Sequence, residues 1–333
     1  MKAAYFRGDG IIALVEVDRP EPGPGELLVR VAANGLCGSD HKALERGHTT
    51  IPGHEVVGTV VGKGPGCETG VGARVAAYIP LYCGECRFCE QGAENLCPHK
   101  AGLLGWSTDG GYAEFMLLPD RNALKLDDGI AFGEGVLLLD TLGTSGHALR
   151  LARAWESETA LVIGAGPIGL GAVEMLKAFG VPDVYVSEIS PYRREAAAAF
   201  GAVSIDPRSE DLVDRIQADT RYGVDLVVEA VGSWPTIQSS LDLVRPGGTI
   251  NLVGEHWGRI DLERPKSAWM INDLTLIRSF YFPISEFEEN QQMILEGTLD
   301  VASLASHTFS LEEIEDAYER FGAGQALKVL VTP

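Results

Sequence analysis

Over roughly the first 140 residues, apolar and polar positions alternate in short runs that Gly and Pro keep breaking. "ELLVRVAA" (26–33) and "GHEVVGTV" (53–60) have the period of two expected of strands. Few stretches there are long enough for a helix. After residue 143 the pattern changes. "TALVIG" is an apolar strand leading into the helical "GPIGLGAVEMLKAFG", and the alternation then repeats. "DVYVSE" and "GAVSID" predict strands, "SEDLVDRIQADT" a helix, "GVDLVVEAVG" a strand and "PTIQSSLDLV" a helix. "RPGGTINLVG" reads as a turn and strand, and "DLTLIRSFYF" as a last strand. Six strands with intervening helices predict a doubly wound parallel sheet over 143–280. Beyond 283, "SEFEENQQMILEG" and "SLEEIEDAYERFGAG" have helical period and "LKVLVTP" is a strand. The expectation is therefore α/β overall. A β-rich part, 1–142 completed by 281–333, is interrupted by the 143–280 domain.

The turn Gly164-Ala165-Gly166-Pro167-Ile168-Gly169 sits between a strand and a helix, the setting in which G-x-G-x-x-G binds a dinucleotide. Gly164 permits the tight turn, Gly166 the approach of backbone N–H groups to a pyrophosphate, and Gly169 close helix–strand packing. The pyrophosphate would sit at the positive helix N-terminus. Glu188 follows about two dozen residues later, at the end of the second strand, near the spacing of a ribose-binding acid. A carboxylate there accepts hydrogen bonds from ribose hydroxyls and repels a 2′-phosphate, which favours NAD over NADP. Arg193 and Arg194 follow, placed to counter that repulsion, to stack on the adenine or to face solvent.

Four of the six cysteines lie within residues 82–99, as Cys83, Cys86, Cys89 and Cys97. The spacing C-x2-C-x2-C-x7-C can bring four thiolates to one tetrahedral point, with turns at Gly84, Gly92 and Pro98. That suits a closed, structural Zn²⁺ site. Disulfides, a redox C-x-x-C and an iron–sulfur cluster are the alternatives. Cys67 reads as an incidental thiol. Cys37, by contrast, follows a strand, and His54 and Glu55 stand at the start of another, so thiolate, imidazole and carboxylate can converge on a second metal. Taken singly, each also has an ordinary structural explanation. Asp140 ends the apolar run "VLLLD", where an acid needs a cation or a donor. It is either a fourth ligand or an acceptor behind the ligands.

Composition narrows the class. Hydrophobic residues are 45% and charged residues 22% of 333, as in soluble globular proteins. The 47 acidic against 27 basic side chains give a net charge of −20, which argues against a nucleic-acid partner. No apolar run is long enough for a bilayer span, and "MKAAYFRGDG" has no signal-like apolar region. A cytoplasmic location is expected.

In their order along the chain, "RPEPGPGELLVRVAANGLCGSD", "PGHEVVGTVVGKG", the four-cysteine segment, "DGGYAEFMLLP", "VIGAGPIGLGAVEMLKAFG", "EAVG" and "LVRPGGTINLVG" resemble the zinc-dependent medium-chain alcohol dehydrogenase family over nearly the whole length. The resemblance implies a GroES-like catalytic domain and a Rossmann cofactor domain. It also implies two zinc ions per chain, NAD, a small-molecule alcohol substrate and a homodimer or homotetramer. Cys37 and His54 match two catalytic-zinc ligands, Glu55 the acid beside the histidine that ligates in some members and only supports the ligands in others, Ser39 the hydroxyl of the proton path, and Val231 in "EAVG" a cofactor position. Asp140 stands where ethanol-type members have a third cysteine, so the chain resembles the sorbitol, threonine and secondary-alcohol branch. The family's relay histidine falls at Lys42, with His41 one place early. The implied reaction is oxidation of a polyol or secondary alcohol to a ketone. The alternatives are threonine 3-dehydrogenase-like oxidation of an amino alcohol, a lyase or C=C reductase of the same superfamily, and a non-catalytic NAD-binding protein. Trp106, Trp257 and Trp269 are candidates for lining a pocket.

Overall fold

The structure, a computed structural model, describes residues 1–256, 258–259 and 272–333; Trp257 and Trp269 lie outside the described residues. The chain forms two compact units. One is Met1–Asp140 with Phe282–Gly297 and Val301–Pro333. The other is Thr141–Tyr281 with Thr298–Asp300.

The second unit holds a six-stranded, wholly parallel sheet. Its strands lie in the order Val203–Ile205, Asp183–Ser187, Thr159–Ile163, Val224–Glu229, Val244–Leu252, Thr275–Arg278. In chain order that is 3-2-1-4-5-6, the doubly wound arrangement that places a dinucleotide at the carboxyl end of the first strand. The central strands are apolar runs because both faces are buried: Ala160, Leu161, Val162, Leu226, Val227 and Val228 are all inaccessible to solvent. The helix Pro167–Ala178 starts with Pro at its first position, where the missing N–H costs nothing.

Two elements differ from the sequence expectation. "RPGG" does not precede its strand as a separate turn but lies inside Val244–Leu252. The register against Val224–Glu229 jumps there, pairing Val224 with Val244 and then Leu226 with Thr249. An irregularity absorbs a proline and two glycines that a regular ladder would reject. The last strand is shorter than "DLTLIRSFYF", covering only Thr275–Arg278.

The first unit is β-rich. Its seven-stranded sheet runs Ala305–Ser310, Lys328–Thr332, Glu26–Gly35, Glu55–Lys63, Arg74–Ala77, Ala123–Lys125, and Phe115–Pro119 also pairs with Glu26–Gly35. Gly35 stands opposite Glu55 on one side and Leu330 on the other. That register brings the start of the C-terminal strand to the place where Glu55 enters the sheet.

Candidate active site

The second cysteine set of the sequence does converge. Cys37, His54, Glu55 and Asp140 each offer a ligand atom, all within 4.8 Å of one another. Cys37 lies just past the strand Glu26–Gly35, Glu55 begins its own strand, and Asp140 opens a π-helical turn, Asp140–Thr144. Such turns recur at functional sites. His54 Nε2 and Cys37 Sγ approach Asp140 Oδ2 at 3.3 and 3.5 Å. Glu55 Oε2 and Asp140 Oδ1 are buried without a hydrogen-bond partner.

The electrostatics also call for a cation. Burial and the nearby Asp140 raise the Cys37 thiol above its ordinary pKa. Burial opposes an imidazolium at His54, but the Asp40 and Asp140 carboxylates outweigh it and raise His54 well above its usual value. Without a metal, His54 would thus have to carry the positive charge. Buried acceptors lacking donors, in a set mixing sulfur, nitrogen and carboxylate oxygen, fit a zinc ion.

Two residues that sequence reasoning missed complete the site. Lys328 is buried with its Nζ against Glu55 Oε1. Burial works against its charge, but Glu55, Cys37 and Asp140 outweigh that and raise its pKa; burial in turn pushes Glu55 up to about 7. Gly35 is small because of this pair: a Cβ there would lie 2.7 Å from both Glu55 Oε2 and Lys328 Cε. The sequence signal was a lysine in the apolar run "ALKVLV". The second missed residue is Asp40, buried, whose Oδ1 faces His54 Nδ1 at 3.3 Å, neither atom making a better-aligned hydrogen bond.

Ser39 is half-buried at the start of the helix Asp40–Arg46, and its side chain makes no capping hydrogen bond. His41 does not join the cluster. It stacks on Phe321 at 5.9 Å and meets Tyr318 edge-on at 5.8 Å. Trp106 lies beside His54, with ring centroids 5.9 Å apart.

The other four cysteines also converge, and all four are free thiols. Their sulfurs stand 3.6 Å (Cys83–Cys97), 3.9 Å (Cys83–Cys89), 3.5 Å (Cys86–Cys89) and 3.8 Å (Cys86–Cys97) apart. A tetrahedron with Zn–S bonds of about 2.3 Å has edges of about 3.8 Å, whereas a disulfide needs about 2.05 Å. Backbone N–H donation from Glu85 draws Cys83 down to about 6, and burial pushes Cys89 up to about 12.

In the parallel-sheet unit, Gly164 has φ +94°, and a Cβ there would strike Val231 Cγ2 at 2.6 Å. Val231 itself is 49% exposed. A Cβ on Gly169 would lie 1.8 Å from the Gly164 carbonyl oxygen, so helix and strand pack as the motif requires. Gly166 caps the helix, with Pro167 and Ile168 half-buried after it, and the nearest atom to its missing Cβ is Arg193 Nη1 at 4.0 Å. Glu188 is buried and already engaged. Its Oε2 accepts from Ala165 N and its Oε1 from Ser190 N, both at 2.7 Å, so it braces the glycine turn. Arg194 donates to the Glu188 carbonyl oxygen at 2.9 Å and pairs with Asp206 at 3.0 Å. Among the described residues, no helix is long and apolar enough to cross a membrane.

Comparison with known proteins gives consistent results. The profile described as "Alcohol dehydrogenase GroES-like domain" matches residues 23–128, and "Zinc-binding dehydrogenase" matches 167–296. The chain is 32% identical to L-threonine 3-dehydrogenase of Pyrococcus abyssi, over 95% of this chain and 94% of that one. It is 30% identical to sorbitol dehydrogenase of Bacillus subtilis, over 100% and 97%. The solved structure of alcohol dehydrogenase TADH from Thermus sp. ATN1 superposes with a TM-score of 0.93 at 30% identity, covering all of both chains.

Proposed function

The chain belongs to the zinc-dependent alcohol dehydrogenases, and from that premise we propose that it oxidises a polyol or secondary alcohol to the ketone with NAD. The observation that carries this reading is the convergence of half-buried Cys37 with buried His54, Glu55 and Asp140 and their unpaired carboxylate oxygens. Cys37, His54 and Asp140 would hold the catalytic zinc, with Glu55 as a further ligand or in reserve on Lys328. When bound, zinc supplies a Lewis acid that favours the ionised alcohol, and NAD supplies the hydride acceptor. Ser39 Oγ accepts the alcohol proton and passes it outward. His41, packed on Phe321, serves at most the outer end of that path. The turn Gly164–Gly169 holds the pyrophosphate, with Arg193 and Val231 beside it, and the Glu188 carboxylate favours NAD over NADP.

An acid at position 140, and relatives named for threonine and sorbitol, support the polyol, secondary-alcohol and threonine class. A panel of polyols, secondary alcohols and L-threonine, read by NADH absorbance, tests the assignment. Turnover is expected with at least one class, and faster with NAD than with NADP. No reduction of either cofactor across the panel contradicts the reading, and a preference for NADP moves cofactor choice from Glu188 to Arg193 and Arg194. An L-threonine preference selects amino-alcohol oxidation, which the Pyrococcus relative favours.

We assign the second zinc to Cys83, Cys86, Cys89 and Cys97. At neutral pH its binding must expel the Cys89 proton, so affinity falls as pH falls. Cys89→Ser is expected to lose one zinc per chain and to melt at lower temperature. Unchanged metal content and melting would remove the lobe from the account. A cytoplasmic homodimer or homotetramer completes the proposal. The exposed Leu276 and Phe280 offer apolar surface to a second copy.

A further inference from the structure

Asp40 collects more donors than one carboxylate oxygen ordinarily needs. Its Oδ2 lies 3.2 Å from the Cys37 backbone N, 3.0 Å from the Tyr112 hydroxyl and 3.0 Å from the Tyr318 hydroxyl. The two hydroxyls are 2.8 Å from each other. All three side chains are buried. They come from separate parts of the first unit: the helix Asp40–Arg46, the turn that carries Tyr112, and the C-terminal helix Ile314–Gly322. Tyr112 is tied by its backbone to the loop before His54, through its N–H to the Pro52 carbonyl at 3.1 Å. Phe6 packs against both rings, at 5.8 and 5.4 Å.

The two phenols and Asp40 Oδ2 are joined by three short oxygen–oxygen lines, and the Tyr112 hydroxyl also reaches the Gly35 carbonyl oxygen at a longer 3.4 Å. On the short lines, either both phenols donate to Asp40 Oδ2, or one donates to the other, which donates to Asp40. With Tyr112 turned to Gly35, Tyr318 keeps its own 3.0 Å line to the carboxylate. Loss of one hydroxyl leaves the other a direct line of 3.0 Å. Loss of both leaves a buried carboxylate oxygen with the Cys37 N–H alone, and nothing else fixes the plane that Oδ1 presents to His54 Nδ1.

We propose that Tyr112 and Tyr318 are positioning residues, a redundant pair of donors that locks Asp40 against His54 and so sets the imidazole of the zinc site. The inference rests on the reading of Cys37, His54, Glu55 and Asp140 as that site. It makes the C-terminal helix part of the metal centre's support without contact to any ligand. Supporting groups of this kind are worth 10–100-fold in metal affinity.

The test uses the full chain and zinc alone. Zinc affinity of the Cys37 site is measured by competition with a chromophoric chelator, beside the melting temperature and the cobalt(II) ligand-field spectrum. Tyr112→Phe and Tyr318→Phe are each expected to stay within about threefold of wild type. The double variant should lose about 10–100-fold, more than the product of the singles, with a changed cobalt spectrum. Wild-type affinity and spectrum in a destabilised double variant would mean the phenols serve packing only, which overturns the proposal. A full loss in either single overturns the redundancy. If the wild type binds no zinc at this site, the metal reading and the proposal fall together. Should the double variant not fold, tyrosine labelled with 13C at Cζ decides in the singles. The surviving phenol resonance must move when Asp40→Asn is added, and one that does not move overturns the proposal.

Discussion

Cys37→Ser abolishes NAD-dependent alcohol oxidation, lowering kcat/KM by more than about 100-fold. In the proposed site it removes a zinc ligand outright, where even the loss of a supporting residue costs about 10–100-fold. A serine hydroxyl is a poor zinc ligand at neutral pH, so the variant is left with His54, Glu55 and Asp140, one strong donor fewer. The Cys83, Cys86, Cys89, Cys97 lobe shares no residue with this cluster, so the zinc proposed there should stay. Melting should move little, because Cys37 lies at the end of a strand whose ladder does not depend on its side chain. Steady-state rates on the best substrate of the panel check this. Activity within tenfold of wild type would place the chemistry elsewhere.

Lys328→Met destabilises the metal-free protein by about 3–5 kcal/mol, the cost of leaving one member of a buried ion pair uncompensated. Glu55 is inaccessible, its Oε2 already lacks a donor, and Lys328 is the ammonium on its other oxygen. The loss has a pH signature. Burial already places Glu55 near 7, above its ordinary 4.5, and removing Lys328 raises it further. Between those values the folded state holds a proton that the unfolded state has lost. Stability therefore falls as pH rises from about 4.5 and levels off above the folded pKa. Bound zinc supplies a nearby cation, so the destabilisation should shrink in the loaded protein. Glu55→Gln added to Lys328→Met should recover most of the loss and remove the pH slope. Denaturant melts of the metal-free single and double variants between pH 5 and 8 measure both effects. A single variant as stable as wild type at pH 8 would show that Glu55 does not depend on Lys328.

What the sequence revealed, and what it hid, follows from the range of each signal. The parallel sheet was readable because apolar runs, turn residues and helical periods are local, and the glycine turn because its strand and helix flank it directly. The cysteine lobe was readable from spacing alone. Cys37, His54 and Asp140 could be set together by their residue types and by family resemblance, although 103 residues separate Cys37 from Asp140. Asp40 was hidden because an acid at the start of a helix is ordinarily a surface group favoured by the helix dipole. Its partners Tyr112 and Tyr318 lie 72 and 278 residues further on. Lys328 was hidden by register: its partner Glu55 is 273 residues away, brought near by the pairing of two strands with Glu26–Gly35. The strand around "RPGG" was misjudged because a bulge preserves pairing across residues whose local preference is to break it.

The zinc content of the purified chain, wild type beside Cys37→Ser, tests the central claim most directly. The account predicts two zinc ions per wild-type chain and one in the variant, the retained ion belonging to the four-cysteine lobe. Equal zinc content in the two proteins would show that the Cys37, His54, Glu55, Asp140 cluster holds no zinc through its thiolate, and would contradict the proposed catalytic centre.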